Sequence, residues 1–65
     1  MTRDQAYEEM LKGNKVRHEY YTDEEYAFIN KDGNIETEDG CVHGGRFSEF
    51  WNKYQRWTNG WSLYR

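Results

Sequence analysis

The clearest structural signal in the sequence is the segment Lys15-Val-Arg-His-Glu-Tyr-Tyr21, whose side chains alternate in character. Successive side chains of a strand point to opposite faces of a sheet, so an alternating segment is typical of a strand. The two predicted faces carry Val16, His18 and Tyr20 on one side, and Arg17, Glu19 and Tyr21 on the other. We therefore predict a β-strand over this segment.

An amphipathic helix is predicted just upstream of this strand. Thr2 and Gln5 have the spacing of a capping box, and Gly13 is a natural helix stop. The apolar positions between them recur at helical spacing, namely Ala6, Tyr7, Met10 and Leu11. The pattern predicts a helix over residues 3–12 in which Met10 and Leu11 are buried.

Three short strands and two turns are predicted downstream. The strand patterns cover residues 25–29, 34–38 and 41–43. Asn30-Lys-Asp-Gly33 is a hairpin signal, because glycine takes the positive φ that such turns need, and Asp39-Gly40 marks another turn. The short spacing of these strands favours antiparallel pairing.

The segment from Phe47 to Trp61 holds three Trp, two Phe and one Tyr within fifteen residues. Aromatic residues recur there at helical spacing, which predicts a second helix over residues 48–55, followed by a final strand at 61–64. We expect the segment to supply core residues. The resulting order of elements predicts a single α+β domain over residues 1–65, with helices on one face of a mainly antiparallel sheet of four to five strands.

Composition limits the classes of protein to which the chain can belong. A 65-residue domain has a small core, and Cys41 is its only cysteine, so no disulfide can staple it. Oligomerisation is the remaining common staple, and we predict a homo-oligomer. A lone thiol and the absence of an apolar segment or signal peptide favour the cytoplasm. The net charge of −3 disfavours duplex DNA as a partner.

Two reactive arrangements can be weighed and set aside. Cys41 and His43 with His18 would supply three metal ligands, but structural zinc needs four, usually as two close pairs, so we predict no metal and no cofactor. His18 as a general base would need a nucleophile or an acid within reach, and none is evident. The sequence therefore predicts a binding protein without catalytic residues.

The candidate ligand site combines an anion-binding loop with flat rings. Gly44-Gly-Arg46 precedes the predicted second helix, and exposed main-chain N–H groups beside an arginine are typical of phosphate sites. Aromatic rings that follow can stack on a base. The predicted ligand-binding residues are Gly45, Arg46, Trp51, Trp57, Trp61, Arg17 and His18.

The residues from Ala6 to Tyr21 resemble the opening of the second Thoeris anti-defence family of phage proteins. That family carries Ala, Gly, Val, a basic residue and Trp at set intervals, and the matching positions here are Ala6, Gly13, Val16, His18 and Tyr21. The closing Trp57-Thr-Asn-Gly-Trp61 is similar to the family's terminal Leu-Ala-x-Asp-Trp. Tyr21 replaces the family's Trp, Gly60 replaces its Asp, and the middle of this chain is shorter.

The resemblance implies a phage-encoded homo-oligomer in the host cytoplasm that sequesters cyclic nucleotide-type immune signals without cleaving them. A relative of that family is an anti-CRISPR protein, so the fold alone does not fix the partner. Three hypotheses stay open: a nucleotide sponge, which binds a signal and withholds it; a protein-binding inhibitor of a defence effector such as a CRISPR nuclease; and a phage accessory module without a ligand.

Overall fold

The protein is described here by a computed structural model, which covers residues 1–44, 52 and 55–64. Helix α1 spans Arg3–Leu11, one residue shorter than predicted. The capping box is present: Gln5 N–H donates to Thr2 Oγ1 at 3.1 Å, and Thr2 N–H donates to Gln5 Oε1 at 2.9 Å. Local signals at the start of the chain therefore fix where α1 begins.

Within the described residues, the sheet contains five strands in the order β4-β3-β2-β1-β5, and every neighbouring pair is antiparallel. The strands are β1 (Val16–His18), β2 (Ala27–Ile29), β3 (Ile35–Thr37), β4 (Val42–His43) and β5 (Trp61–Leu63). The predicted α+β class, the N-terminal helix, the antiparallel sheet and the C-terminal strand are confirmed. The predicted second helix lies outside the described residues, apart from Asn52 and Gln55.

Strand β1 is shorter than the alternation predicted. It ends at His18, because Tyr20 N–H donates to His18 Nδ1 at 3.1 Å and Tyr21 N–H donates to His18 O at 2.9 Å. These two bonds turn the chain away from the sheet. Tyr20 is consequently 71% exposed, and the prediction that it shares a sheet face with Val16 and His18 is wrong.

The core lies between α1 and one face of the sheet. Its buried apolar residues are Ala6, Met10, Val16, Ala27, Ile35 and Trp61. Leu11 is 61% exposed, so its predicted burial is wrong. Each helical residue rotates about 100° from the previous one, and the face that meets the sheet runs through Ala6 and Met10. No helix in the described part of the chain is long and apolar enough to cross a membrane.

Candidate functional site

An open cleft of about 260 Å³ lies where the chain leaves β1 and meets the segment that leads into β5. We call it the aromatic cleft. It is lined by His18, Glu19, Tyr20, Arg56, Trp57, Thr58, Asn59 and Gly60. These residues come from two segments about forty positions apart in the chain, and the antiparallel pairing of β1 with β5 brings them together.

Gly60 forms the tightest point of the aromatic cleft. Its φ is +91°, a conformation that favours glycine, and its carbonyl accepts a hydrogen bond from Glu19 N–H at 2.9 Å. A Cβ at this position would lie 2.9 Å from Glu19 Cδ and 3.0 Å from His18 Nε2. Glycine therefore lets the two segments approach each other closely.

His18 forms the base of the aromatic cleft and is only 1% exposed. Its Nδ1 accepts from Tyr20 N–H, so that nitrogen carries no proton. Its Nε2 lies 2.8 Å from Asn59 O, which can only accept, so Nε2 carries the proton. His18 is thus the neutral Nε2–H tautomer, and both ring nitrogens are engaged by the main chain.

Trp57 forms the wall of the aromatic cleft. Its ring stacks on that of His18, with centroids 4.1 Å apart and planes 21° apart. Tyr20 approaches Trp57 nearly at right angles, with centroids 5.4 Å apart. The Trp57 carbonyl accepts from Trp61 Nε1 at 2.7 Å, which ties the wall to the core. The result is a fixed indole beside an exposed phenol ring.

Opposite charges lie at the mouth of the aromatic cleft. Glu19 and Arg56 are both exposed and both line it. A guanidinium here can donate two hydrogen bonds to a phosphate or a carboxylate. Sequence reasoning missed Arg56, and the only local signal was its position directly before Trp57.

The structure separates the residues that the sequence grouped as one ligand site. Trp57 and His18 lie together in the aromatic cleft, but His18 is 1% exposed, so its predicted contact with a ligand does not fit this burial. Trp61 is 2% exposed and belongs to the core, so the predicted stacking of its ring on a base does not fit this burial. Arg17 points to the opposite face of the sheet from His18, because the two are adjacent on β1. Gly45, Arg46 and Trp51 lie outside the described residues, and their roles stay predictions.

The metal arrangement considered above is not assembled in the described part of the chain. His18 is on β1 and His43 is on β4, with β2 and β3 between them. Among the residues that the structure describes, no three His, Cys, Asp or Glu side chains are grouped so as to hold a metal ion.

Comparison with protein-family models, curated proteins and solved structures finds no match to this chain. The resemblance to the phage anti-defence family therefore stays a prediction, and the geometry of the aromatic cleft is the main ground for a functional proposal.

Proposed function

We propose that the protein is a phage-encoded inhibitor of bacterial immunity that binds a cyclic nucleotide-type signal in the aromatic cleft and withholds it unchanged. The observation that carries this proposal is the edge-to-face pair of Tyr20 and Trp57, with planes 69° apart, beside Arg56. A base placed against such a pair packs on one ring and meets the edge of the other. Stacking of this kind contributes about 1–3 kcal/mol per base.

The charge and size of the aromatic cleft support a ligand with one flat and one anionic part. The chain has a net charge of −3, so a nucleotide must be attracted by local donors, and Arg56 is a suitable one. The volume of about 260 Å³ lies just below the roughly 300–1,000 Å³ typical of small-molecule sites. That size suits a single base with its sugar, leaving the remainder of a larger signal outside the cleft.

The state of His18 supports binding without reaction. A general base needs a free lone pair within reach of the proton that it removes. Here Nδ1 already accepts from Tyr20 N–H, and Nε2 bears its proton toward Asn59 O. Proton transfer through this ring would break a main-chain hydrogen bond.

Isothermal titration against a panel of cyclic dinucleotides and ADP-ribose derivatives tests the proposal. We expect one class to bind and to be recovered intact after the protein is denatured by heat. Arg56→Ala should weaken binding by about 1.5–3 kcal/mol, the range for charged hydrogen bonds. Tyr20→Ala should weaken it by about 1–3 kcal/mol.

Lys31→Ala is the matched control, because Lys31 is an exposed cation in the β2–β3 hairpin, away from the aromatic cleft. The affinity of the Lys31→Ala variant for the nucleotide should equal that of the parent protein. If neither Arg56→Ala nor Tyr20→Ala weakens binding, the nucleotide binds outside the aromatic cleft. A hydrolysed nucleotide in the recovered fraction would contradict the sponge mechanism itself.

A second candidate function is inhibition of a nucleic-acid-binding defence effector, and it is favoured by the acidic end of the sheet. The β1–β2 and β3–β4 turns lie at the same end, and they expose Asp23, Glu24, Glu38 and Asp39. Clustered carboxylates can occupy a basic groove built for phosphates. Competition with a labelled nucleic acid on a CRISPR nuclease would test this function, and the variant Asp23→Lys, Glu24→Lys should then lose the competition.

A further inference from the structure

The face of the sheet that points away from α1 carries a second aromatic group. We call this face the open face. It holds Lys15, Arg17, Tyr26, Phe28, Glu36, Val42, Ser62 and Tyr64. The alternation along β1, β2 and β3 sends Val16, Ala27 and Ile35 into the core, and it sends their neighbours to the open face. No described helix packs there, since the core contacts of α1 are made with the buried face.

Three half-buried rings form the centre of the open face. The centroids of Tyr26 and Phe28 are 6.1 Å apart, and those of Tyr26 and Tyr64 are 4.8 Å apart. The Lys15 ammonium lies 4.5 Å from the centre of the Tyr26 ring and 5.9 Å from that of Phe28. An aromatic centre bordered by charged groups is the pattern of a protein interface.

The charges on the open face are separated by strand. Glu36 on β3 pairs directly with Phe28 on β2, and its Oε1 accepts a hydrogen bond from Asn30 Nδ2 at 3.1 Å, which leaves Oε2 for a further partner. Lys15 directly precedes β1 and lies on the other side of Phe28 from Glu36. Arg17, two residues later in β1, has its side chain on the same face as that of Lys15. Positive and negative charges thus flank β2 at roughly one strand spacing, about 4.8 Å, to either side.

From this pattern we infer that the open face binds a second copy of the same chain by a two-fold axis parallel to β2. Rotation about such an axis places β1 of each copy over β3 of the other. Lys15 then faces Glu36 of the second copy, the two Phe28 rings meet at the centre, and the same contact occurs twice, as in any isologous interface. Face-to-face sheets pack about 10 Å apart with their strands nearly aligned, which this arrangement permits.

The charge pattern selects both the partner and the axis. An axis perpendicular to the strands would place β1 on β1 and bring Lys15 against its own copy, which like-charge repulsion disfavours. A nucleic acid would meet Glu36 as well as Lys15, and an acidic or basic protein would match only half of the face. A second copy matches both halves. The aromatic cleft uses none of these residues, so the inference does not depend on the proposed function.

A charge-reversal exchange tests this inference by sedimentation equilibrium. The parent is expected to self-associate as a dimer at micromolar to millimolar concentration. Lys15→Glu places a carboxylate opposite Glu36 of the second copy, and Glu36→Lys places an ammonium opposite Lys15. Each variant alone should dimerise at least about tenfold more weakly, since two ion pairs become two repulsions.

The decisive measurement is sedimentation equilibrium of an equimolar mixture of the Lys15→Glu and Glu36→Lys variants. In a mixed dimer the carboxylate introduced at position 15 meets the ammonium introduced at position 36, and the native Lys15 and Glu36 meet each other. The equimolar mixture should therefore regain the parent's affinity. Lys31→Glu makes the same charge change in the β2–β3 hairpin and should leave dimerisation unchanged. Far-ultraviolet circular dichroism confirms that each variant is folded.

The competing outcomes are distinct. A parent that stays monomeric up to millimolar concentration overturns the inference. A dimer that neither variant weakens lies on another surface. A mixture that associates no better than the two variants do separately excludes the axis parallel to β2.

Discussion

The two faces of the sheet differ in how two adjacent residues of β1, His18 and Arg17, satisfy their polar groups within one chain. On the face toward α1, His18 is 1% exposed and both of its ring nitrogens are engaged by the main chain. On the open face, its neighbour Arg17 leaves Nε buried without a hydrogen-bond partner among the residues that the structure describes. The Arg17 guanidinium donates to Tyr21 O at 3.3 Å and lies 3.9 Å from Asp23 Oδ1.

This difference indicates that the face toward α1 contributes most to the stability of the fold, and that the open face contributes most to association. Buried polar groups are nearly always paired in native proteins, and the fully paired His18 fits this rule as part of the core. The Arg17 side chain is 29% exposed, so it keeps contact with solvent at the surface of the open face. The stability of the chain should depend on the face toward α1. The open face should matter for association much more than for folding.

The largest effect is expected from the core under α1. Met10 is 1% exposed, and Met10→Ala should lower the free energy of unfolding by about 2–5 kcal/mol. Leu11 is the matched control, because it is the next residue of the same helix and is 61% exposed. Leu11→Ala should cost less than about 0.5 kcal/mol.

Urea denaturation of both variants measures this difference directly. Similar losses at Met10 and Leu11 would show that α1 is rotated about its axis relative to the face described here.

The exposure of Leu11, which was predicted to be buried, also shows which features of the fold can be predicted from sequence. Turns and helix ends depend on near neighbours, so Thr2 with Gln5 predicted the start of α1, and Gly33 adopts the positive φ of its predicted turn at +82°. Leu11 satisfied the same helical periodicity as Met10. The choice between them depends on where the sheet lies, which is information from distant strands.

The aromatic cleft was beyond prediction for the same reason. Arg56 and Trp57 meet Tyr20 only because β5 pairs with β1, a contact between distant parts of the chain. The alternating pattern predicted that Tyr20 shares a face with His18. The pattern does not reveal that Tyr20 N–H donates a hydrogen bond to the His18 ring, and this bond ends the strand. Trp61 and Trp57 are indistinguishable by composition, although one is core and the other lines the cleft.

A smaller effect compares the two faces at adjacent positions of β1. His18→Phe keeps a flat ring against Trp57 but leaves Tyr20 N–H and Asn59 O without their partners. An unsatisfied group of this kind costs about 1–3 kcal/mol, and we expect a loss of stability in that range. Arg17→Met keeps a long side chain on the open face and removes an imperfectly paired charge, so its effect should stay within about 0.5 kcal/mol.

Chemical denaturation at low micromolar concentration, where dimerisation contributes least, gives both values. Equal losses at positions 17 and 18 would mean that the two faces are equally tied into the monomer, and the contrast between them would fail.

The smallest effect concerns the β3–β4 turn, beyond both faces. The Thr37 hydroxyl donates to Asp39 Oδ1 at 2.6 Å, and Cys41 N–H donates to the same oxygen at 3.1 Å. These hydrogen bonds, the Thr37 bond first, lower the pKa of Asp39 from 3.8 to about 2. Because the folded pKa is the lower one, the carboxylate's contribution to stability is complete above the unfolded value and is lost as the pH falls through about 2.

A carbon-detected NMR titration of the Asp39 carboxyl group should therefore give a midpoint near 2 in the parent. Thr37→Val keeps the shape of the side chain but removes the hydroxyl, so it should raise that midpoint toward the ordinary aspartate value. The exposed carboxylate is screened by water, so the stability of the two proteins at neutral pH should differ little. An Asp39 midpoint that is the same in both would show that the turn is held by its main chain. The hydrogen bonds of the Asp39 carboxylate would then not resemble those that engage both ring nitrogens of His18. The comparison with Arg17 would depend on the two faces of the sheet and not on the β3–β4 turn.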